Sequence, residues 1–234
     1  MIFDNTFLPV GVSPLQPTRK NVLRLGDFQE RSFVAGPGVR SVMWVAGCHR
    51  RCPGCMKPEL FPFDAGRDIG IDEAFAMLMA VPGVDGVTFS GGEPFEQAAP
   101  LGLLAARLRL SGRDVTVYTG YRFEFLRDDA SGQYAEFLNN VDLLIEGEYR
   151  ANEADASRWR GSANQRLVPL SPTGGQLLKS TPGLEMPMAE VQIVVDGPKI
   201  RLTGCPTPGL LDEIMPHLAA RGVTLRPIDP RGTE

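Results

Sequence analysis

From residue 39 to residue 145 the sequence alternates β-rich runs with helical ones, and no other feature constrains the fold as much. Residues 39–45, 86–89, 114–118 and 141–145 are rich in β-branched and large apolar side chains and read as strands. Between the first two lies residues 72–81, with acids in its first turn and Ala74, Phe75, Met77, Leu78 and Val81 at helical spacing. Pro82-Gly83 stops that helix; residues 97–110 form a second, broken after Ser111-Gly112, and a looser helical stretch covers 121–139. Strand and helix in this order imply a parallel sheet with crossover helices. Sites on such sheets, and in barrels, gather at the C-terminal strand ends. Three candidate motifs fall at such ends: the cysteine-bearing stretch 47–55, Ser90-Gly91-Gly92-Glu93-Pro94, and Thr119-Gly120. They should face one mouth.

The remainder is less regular. Residues 1–20, with Pro9, Gly11, Pro14 and Pro17, read as an extended arm, and 22–25 as a first short strand. Gly36-Pro37-Gly38 is a turn. Residues 150–185 read as a long polar loop with at most one hairpin. Residues 190–195 form a late strand with a hairpin partner at 199–202, followed by a helix over 210–220 and a short strand at 223–225. At 234 residues the chain reads as one domain. Its net charge of −4 argues against a broad nucleic-acid-binding face. It has no apolar run long enough to span a membrane. Met1-Ile2-Phe3-Asp4-Asn5 lacks the order of a secretory signal, so a cytoplasmic location is expected. In the cytosol clustered cysteines mean metal or redox chemistry more often than disulfides.

Three of the four cysteines, Cys48, Cys52 and Cys55, lie within eight residues as C-x3-C-x2-C. Three thiolates are one short of the usual set for an iron–sulfur cluster or a structural zinc. The spacing favours a cluster with one open iron. Two other readings stay open: a zinc site, for which a second ligand pair is missing, and a dithiol at Cys52-Pro53-Gly54-Cys55, which leaves Cys48 unexplained.

C-x3-C-x2-C after a strand resembles the signature of the radical S-adenosylmethionine (SAM) enzymes, and Ser90-Gly91-Gly92-Glu93-Pro94 is similar to that family's GGE motif. The resemblance implies an α/β fold with a partial, open (β/α)6-type barrel. It implies a [4Fe–4S] cluster on Cys48, Cys52 and Cys55, with SAM chelating the fourth iron through its amino and carboxylate groups. It implies SAM contacts from Gly54, Cys55, Met56, Ser90, Gly91, Gly92, Glu93, Thr119 and Gly120, the acid and backbone groups holding the SAM ammonium. Two glycines in the turn would let backbone come close to a ligand. Cys52-Pro53-Gly54-Cys55 is most like the activating enzymes of anaerobic ribonucleotide reductase. Gly36-Pro37-Gly38-Val39-Arg40, residues 117–121, residues 142–149 and residues 159–166 are similar to the same branch. The resemblance divides the single domain into an arm and first strand (1–35), a core (36–168), and C-terminal strands and helix (169–234). It implies reductive cleavage of SAM to a 5′-deoxyadenosyl radical, which installs a glycyl radical on a partner enzyme, and a flavodoxin- or ferredoxin-like electron donor. No direct nucleic-acid contact or membrane association is expected. The branch often has Tyr-Asn after the third cysteine; here Met56-Lys57 stands there.

Two alternatives are carried. One is radical chemistry on a small molecule or peptide in a biosynthetic pathway, motivated by the divergent arm and tail. The other is a metal-bearing binding module without catalysis. Residues 159–165 read as a lid or docking loop, Tyr118 and Tyr121 as packing residues, Cys205 as a free thiol, and His217 as a surface or satisfied helix histidine. Arg40, Arg50, Arg51 and Arg122 are candidates to lend positive charge to the cluster.

Overall fold

In the strand Arg40–Val45 every residue is buried, which is the burial of a central strand covered on both faces. The computed structural model describes residues 21–222 apart from 156, 185–187, 189, 197–198 and 208. In chain order the elements are β1 (Val22–Ser32), β2 (Arg40–Val45), β3 (Arg67–Gly70), α1 (Ile71–Met79), β4 (Gly86–Gly91), α2 (Ala98–Leu110), β5 (Asp114–Thr119), α3 (Phe123–Arg127) and α4 (Ala135–Leu138). There follow β6 (Leu143–Glu146), β7 (Arg166–Pro169), α5 (Pro172–Ser180), β8 (Val191–Asp196), β9 (Lys199–Gly204) and α6 (Leu210–Ala219). Seven strands form one sheet in the order β3-β1-β2-β4-β5-β6-β7, and β8 and β9 pair separately as an antiparallel hairpin. β2, β4, β5 and β6 are parallel; β1 and β7 run antiparallel to their neighbours β2 and β6. The fold is thus mixed α/β around a mostly parallel sheet, as the alternation requires.

One face of the parallel strands presents Met43, Val45, Val87, Phe89, Val115, Val117 and Leu144 to the helices. There they meet Ala74 and Leu78 of α1, Leu101, Leu104 and Leu108 of α2, and Phe137 of α4, all buried in one core. The other face is the one that positions the site.

Register brings the C-terminal ends of the parallel strands together: Val45 is opposite Gly91, and Thr119 is opposite Glu146. It also fixes what happens at the other end. Arg40 is fully buried, with Nη2 at 2.6 Å from Asp114 Oδ1. Its remaining donors reach Thr88 Oγ1 at 2.7 Å, Pro37 O at 2.9 Å and Val87 O at 2.8 Å. This corrects the expectation that Arg40 lends charge to the cysteines. It lies five strand steps, roughly 16 Å, from the end of β2 that leads to them.

Other departures have local reasons. β1 runs to Ser32 rather than Leu25, because two register irregularities interrupt its polar second half and hide the period of two. β3 is four residues with little apolar content. The stretch 121–139 splits into two short helices around a Gly-containing turn. Residues 150–185 hold no hairpin among the described residues; they hold β7 and α5. Ser171 caps α5, its Oγ accepting from Gly174 N at 3.1 Å, and Pro172 occupies its first turn. Gly174 weakens the helical pattern but is required there, since an added Cβ would collide with the Asp142 carbonyl. The hairpin and the last helix stand as expected. The arm at 1–20 and the strand at 223–225 lie outside the described residues. No helix among the described residues is long and apolar enough to cross a membrane.

Arg40→Leu leaves Asp114 facing the interior without its cation, and breaking a buried pair this way costs about 3–5 kcal/mol. Denaturant unfolding of the variant should show that loss; a change below about 1 kcal/mol would mean the pair does not hold this end of the sheet.

Candidate functional site

β2 delivers the chain to Gly47, whose φ of +95° turns it into the cysteine loop. A side chain there would meet the Phe63 ring at 2.6 Å, so glycine is needed twice over. Gly47 N donates to Leu60 O at 2.8 Å and Cys48 N to Phe61 O at 3.0 Å, which lays the loop along residues 60–61. Arg51, at φ 47°, and Gly54, at φ +77°, supply the further left-handed turns that fold eight residues back on themselves.

Cys48, Cys52 and Cys55 are free thiols. Burial pushes the Cys48 thiol up to about 11, against the backbone N–H groups of Arg51 and Arg50, which favour its thiolate. Burial raises Cys55 as well, with Lys57 N donating to its Sγ at 3.5 Å. Among the described residues no three His, Cys, Asp or Glu side chains converge on a single-ion point. A cluster takes one thiolate per iron, so its ligands need no common point. Three soft sulfur donors on one loop, two of them with backbone N–H donors, fit an iron–sulfur group.

The turn after β4 is built against this loop. Gly92 N donates to Val45 O at 2.7 Å and Glu93 N to Gly47 O at 2.8 Å. A Cβ on Gly91 would collide with the Val45 backbone, and one on Gly92 with the Gly47 carbonyl. The close approach that the two glycines permit is therefore to the end of β2 and the start of the cysteine loop.

Glu93 is 1% exposed. Its Oε1 accepts from Phe95 N at 3.0 Å and Thr119 Oγ1 at 2.8 Å, and its Oε2 from Gly120 N at 2.8 Å. Burial pushes the carboxyl up to about 7, while those donors and Arg50 pull it down. Glu93 thus ties the end of β4 to the end of β5, with three donors on a carboxylate that accepts about four.

A cavity of about 540 Å³ opens on the side of the sheet away from the core. Val42, Trp44, Thr88, Ser90 and Tyr118, alternate residues of β2, β4 and β5, form its floor. Cys55, Met56 and Lys57 close one end, and Tyr149, Ala151, Gly161 and Gln165 form a side. Of the residues expected at a cofactor, Cys55, Met56, Ser90 and Gly91 line this cavity. Gly54, Gly92, Glu93, Thr119 and Gly120 stand outside its lining, the last four within the brace just described.

The loop at 159–165 is pinned rather than loose. Trp159, at φ 63°, packs on Leu143 and Ile145. Gln165 Nε2 donates to Gly147 O and Asn164 Nδ2 to Glu148 O, both at 2.8 Å. His49 turns to Glu96, with Nδ1 at 3.0 Å from Oε1, and Tyr121 donates to the same oxygen at 2.9 Å.

Sequence reading missed one wall entirely. Leu202–Thr207 at the end of the hairpin, with Cys205 among them, faces the cavity. The hairpin is fastened to β1 by Thr203 Oγ1 to Gln29 Oε1 at 2.6 Å and by Arg201 to Asp27 at 2.8 and 2.9 Å. Arg158 joins it to the 159–165 side through both oxygens of Glu190, at 2.8 and 2.9 Å. Burial pushes the Cys205 thiol up to about 12. Only the polar alternation of residues 192, 201 and 203 hinted at a docked face.

Residues 34–168 match the family model of the 4Fe-4S single cluster domain. The anaerobic ribonucleoside-triphosphate reductase-activating protein of Enterobacteria phage T4 is 32% identical over 142 residues, which cover 58% of this chain and 86% of that protein. The protein of the same description from Haemophilus influenzae is 32% identical over 150 residues, 59% of this chain and 93% of its own length. The pyruvate formate-lyase-activating enzyme of Clostridium pasteurianum is 30% identical over 128 residues, 52% of this chain and 50% of that enzyme.

Glu93→Gln keeps the shape but points an amide N–H₂ at one of the donors the carboxylate now satisfies. Leaving a buried donor unpaired costs about 1–3 kcal/mol. Thermal or denaturant unfolding should report a loss of that size; wild-type stability would remove the brace role.

Proposed function

The chain belongs to the 4Fe-4S single-cluster domain family, among the radical SAM activating enzymes, and from that premise we propose that it activates a glycyl-radical enzyme, an anaerobic ribonucleoside-triphosphate reductase. The observation that carries this reading is the pair of backbone hydrogen bonds fastening the Gly91-Gly92-Glu93 turn to the end of β2 and the start of the cysteine loop, beside a ligand-sized cavity. Cys55 of the cluster ligand set and Ser90 and Gly91 at the turn line the same cavity, so one ligand there can touch both.

Cys48, Cys52 and Cys55 would hold a [4Fe–4S] cluster, and SAM would occupy the cavity beside Met56, Ser90 and Gly91. When bound and reduced by a flavodoxin- or ferredoxin-like donor in the cytosol, the cluster supplies the electron that cleaves SAM to methionine and a 5′-deoxyadenosyl radical. The protein's own part is positioning: holding the sulfonium next to the electron source converts a difficult encounter into an intramolecular one. Gly92 and Glu93 serve that end by fixing the turn, and Thr119 and Gly120 by fixing Glu93. On this reading the seven-stranded sheet is the wall of a partial, open barrel, and residues 1–234 work as one domain.

A cavity of about 540 Å³ is space for one drug-sized ligand. The hairpin wall at residues 202–207, beyond the family-matched stretch, favours a second reading in which the acceptor is a small molecule or peptide.

Anaerobic reconstitution with iron and sulfide should give about four irons per chain. SAM with dithionite should then yield 5′-deoxyadenosine, and Cys48→Ala, Cys52→Ala and Cys55→Ala should abolish it. An anaerobic ribonucleotide reductase added to the mixture should develop a glycyl-radical signal in electron paramagnetic resonance. Ample 5′-deoxyadenosine without that signal would move the assignment to the small-acceptor reading; no 5′-deoxyadenosine at all would overturn both.

A further inference from the structure

Of the four arginines that could lend charge to the cysteine loop, two are committed elsewhere. Arg40 is at the far end of the sheet, and Arg122 pairs with the buried Glu146 at 3.1 Å. Arg51 is exposed. Arg50, between Cys48 and Cys52, is placed differently. Its side chain lies across Gly120, where an added Cβ would collide with its Cδ and Nε. Its guanidinium stands over the Tyr121 ring, 5.1 Å from the centroid. Its Nη2 is 3.6 Å from Glu148 Oε1. Its Nε is buried and has no acceptor among the described residues.

Glu148 has a second neighbour. The same Oε1 lies 4.0 Å from Cys52 Sγ. A free thiol can donate to a carboxylate, but a cysteine bound to iron is a thiolate and has no proton to give. The carboxylate beside it then becomes a neighbouring anion, and Arg50 is the cation already in reach of it. The unpaired Nε–H completes the argument, because a buried donor without an acceptor calls for one that the described residues do not supply. Sulfur of a bound cluster or of its thiolate ligands is such an acceptor, and hydrogen bonds and charges at those sulfurs set cluster potentials.

Resting on the functional reading above, we propose that Arg50 and Glu148 form an opposed pair of charges that tunes the reduction potential of the cluster held by Cys48, Cys52 and Cys55. Reduction adds one negative charge. Arg50 favours that added charge and Glu148 opposes it, and their partly buried position keeps solvent from screening either fully. Arg50 acts through its Nε–H and its charge and Glu148 through its charge, and neither is a cluster ligand. Gly120 has a role here too, as the residue whose missing side chain leaves room for Arg50.

The test is a redox titration of the reconstituted protein without SAM, followed by electron paramagnetic resonance of the reduced cluster. Iron and sulfide per chain are measured first for every variant. Arg50→Gln should move the midpoint to more negative potential and Glu148→Gln to more positive, with the double variant returning toward wild type. Arg50→Lys, which keeps the charge but loses the Nε donor, should fall between wild type and Arg50→Gln. A purely structural role for the pair would not give opposite signs. Shifts in the same direction, or none, overturn the proposal. If Arg50→Gln fails to keep a cluster, Glu148→Gln and Arg50→Lys still decide: absence of the positive shift in the first, or a wild-type midpoint in the second, overturns it. A wild-type protein that assembles no [4Fe–4S] cluster instead defeats the functional reading on which this rests.

Discussion

The carbonyls of Val45 and Gly47 accept hydrogen bonds from the N–H groups of Gly92 and Glu93, at 2.7 and 2.8 Å. Everything at the mouth of the sheet depends on that contact. It exists because β2 and β4 pair in parallel with Val45 opposite Gly91, so that both chains leave the sheet at the same height. It is tolerated because neither residue 91 nor residue 92 carries a Cβ. Glu93, drawn inward by it, then reaches Thr119 and Gly120 and fixes the end of the next parallel strand. Three loops distant in sequence become one rigid rim.

That rim divides the motif residues by task. Ser90 and Gly91 face the cavity, whereas Glu93 is buried behind them with its oxygens already engaged. A carboxylate in a glycine-rich turn invites the reading that it meets a ligand's ammonium. The geometry gives it a prior duty, which is to hold in place the backbone that the ligand meets. Substitutions there should be judged first for what they do to the rim.

The alternating strands, the cysteine loop and the turn after β4 were legible because each is encoded locally, by period, by spacing or by paired glycines. What was not legible depends on partners far away in the chain. Arg40 reads as a spare cation until register sets it against Asp114, 74 residues on. β1 reads as four residues because its polar half is stabilised by pairing with β2 rather than by its own pattern. α5 hides behind Gly174, a residue chosen for its approach to Asp142 and not for helix propensity. The cavity wall at residues 202–207 has no motif at all; its place is set by where Thr203 and Arg201 dock.

Those docking contacts join residues 174 positions apart. Contacts of such separation carry a large loop-closure cost and form late. Chains emerge from the ribosome N-terminus first, so the strands and helices up to residue 168 can collapse before the hairpin exists. The rim is therefore assembled first, on pairings nearer in sequence than those of the hairpin, and the chamber beside it gains its last side only when the hairpin swings back onto β1. A chain stalled or clipped ahead of the hairpin would keep its cysteines and its turn yet present them in an open trough.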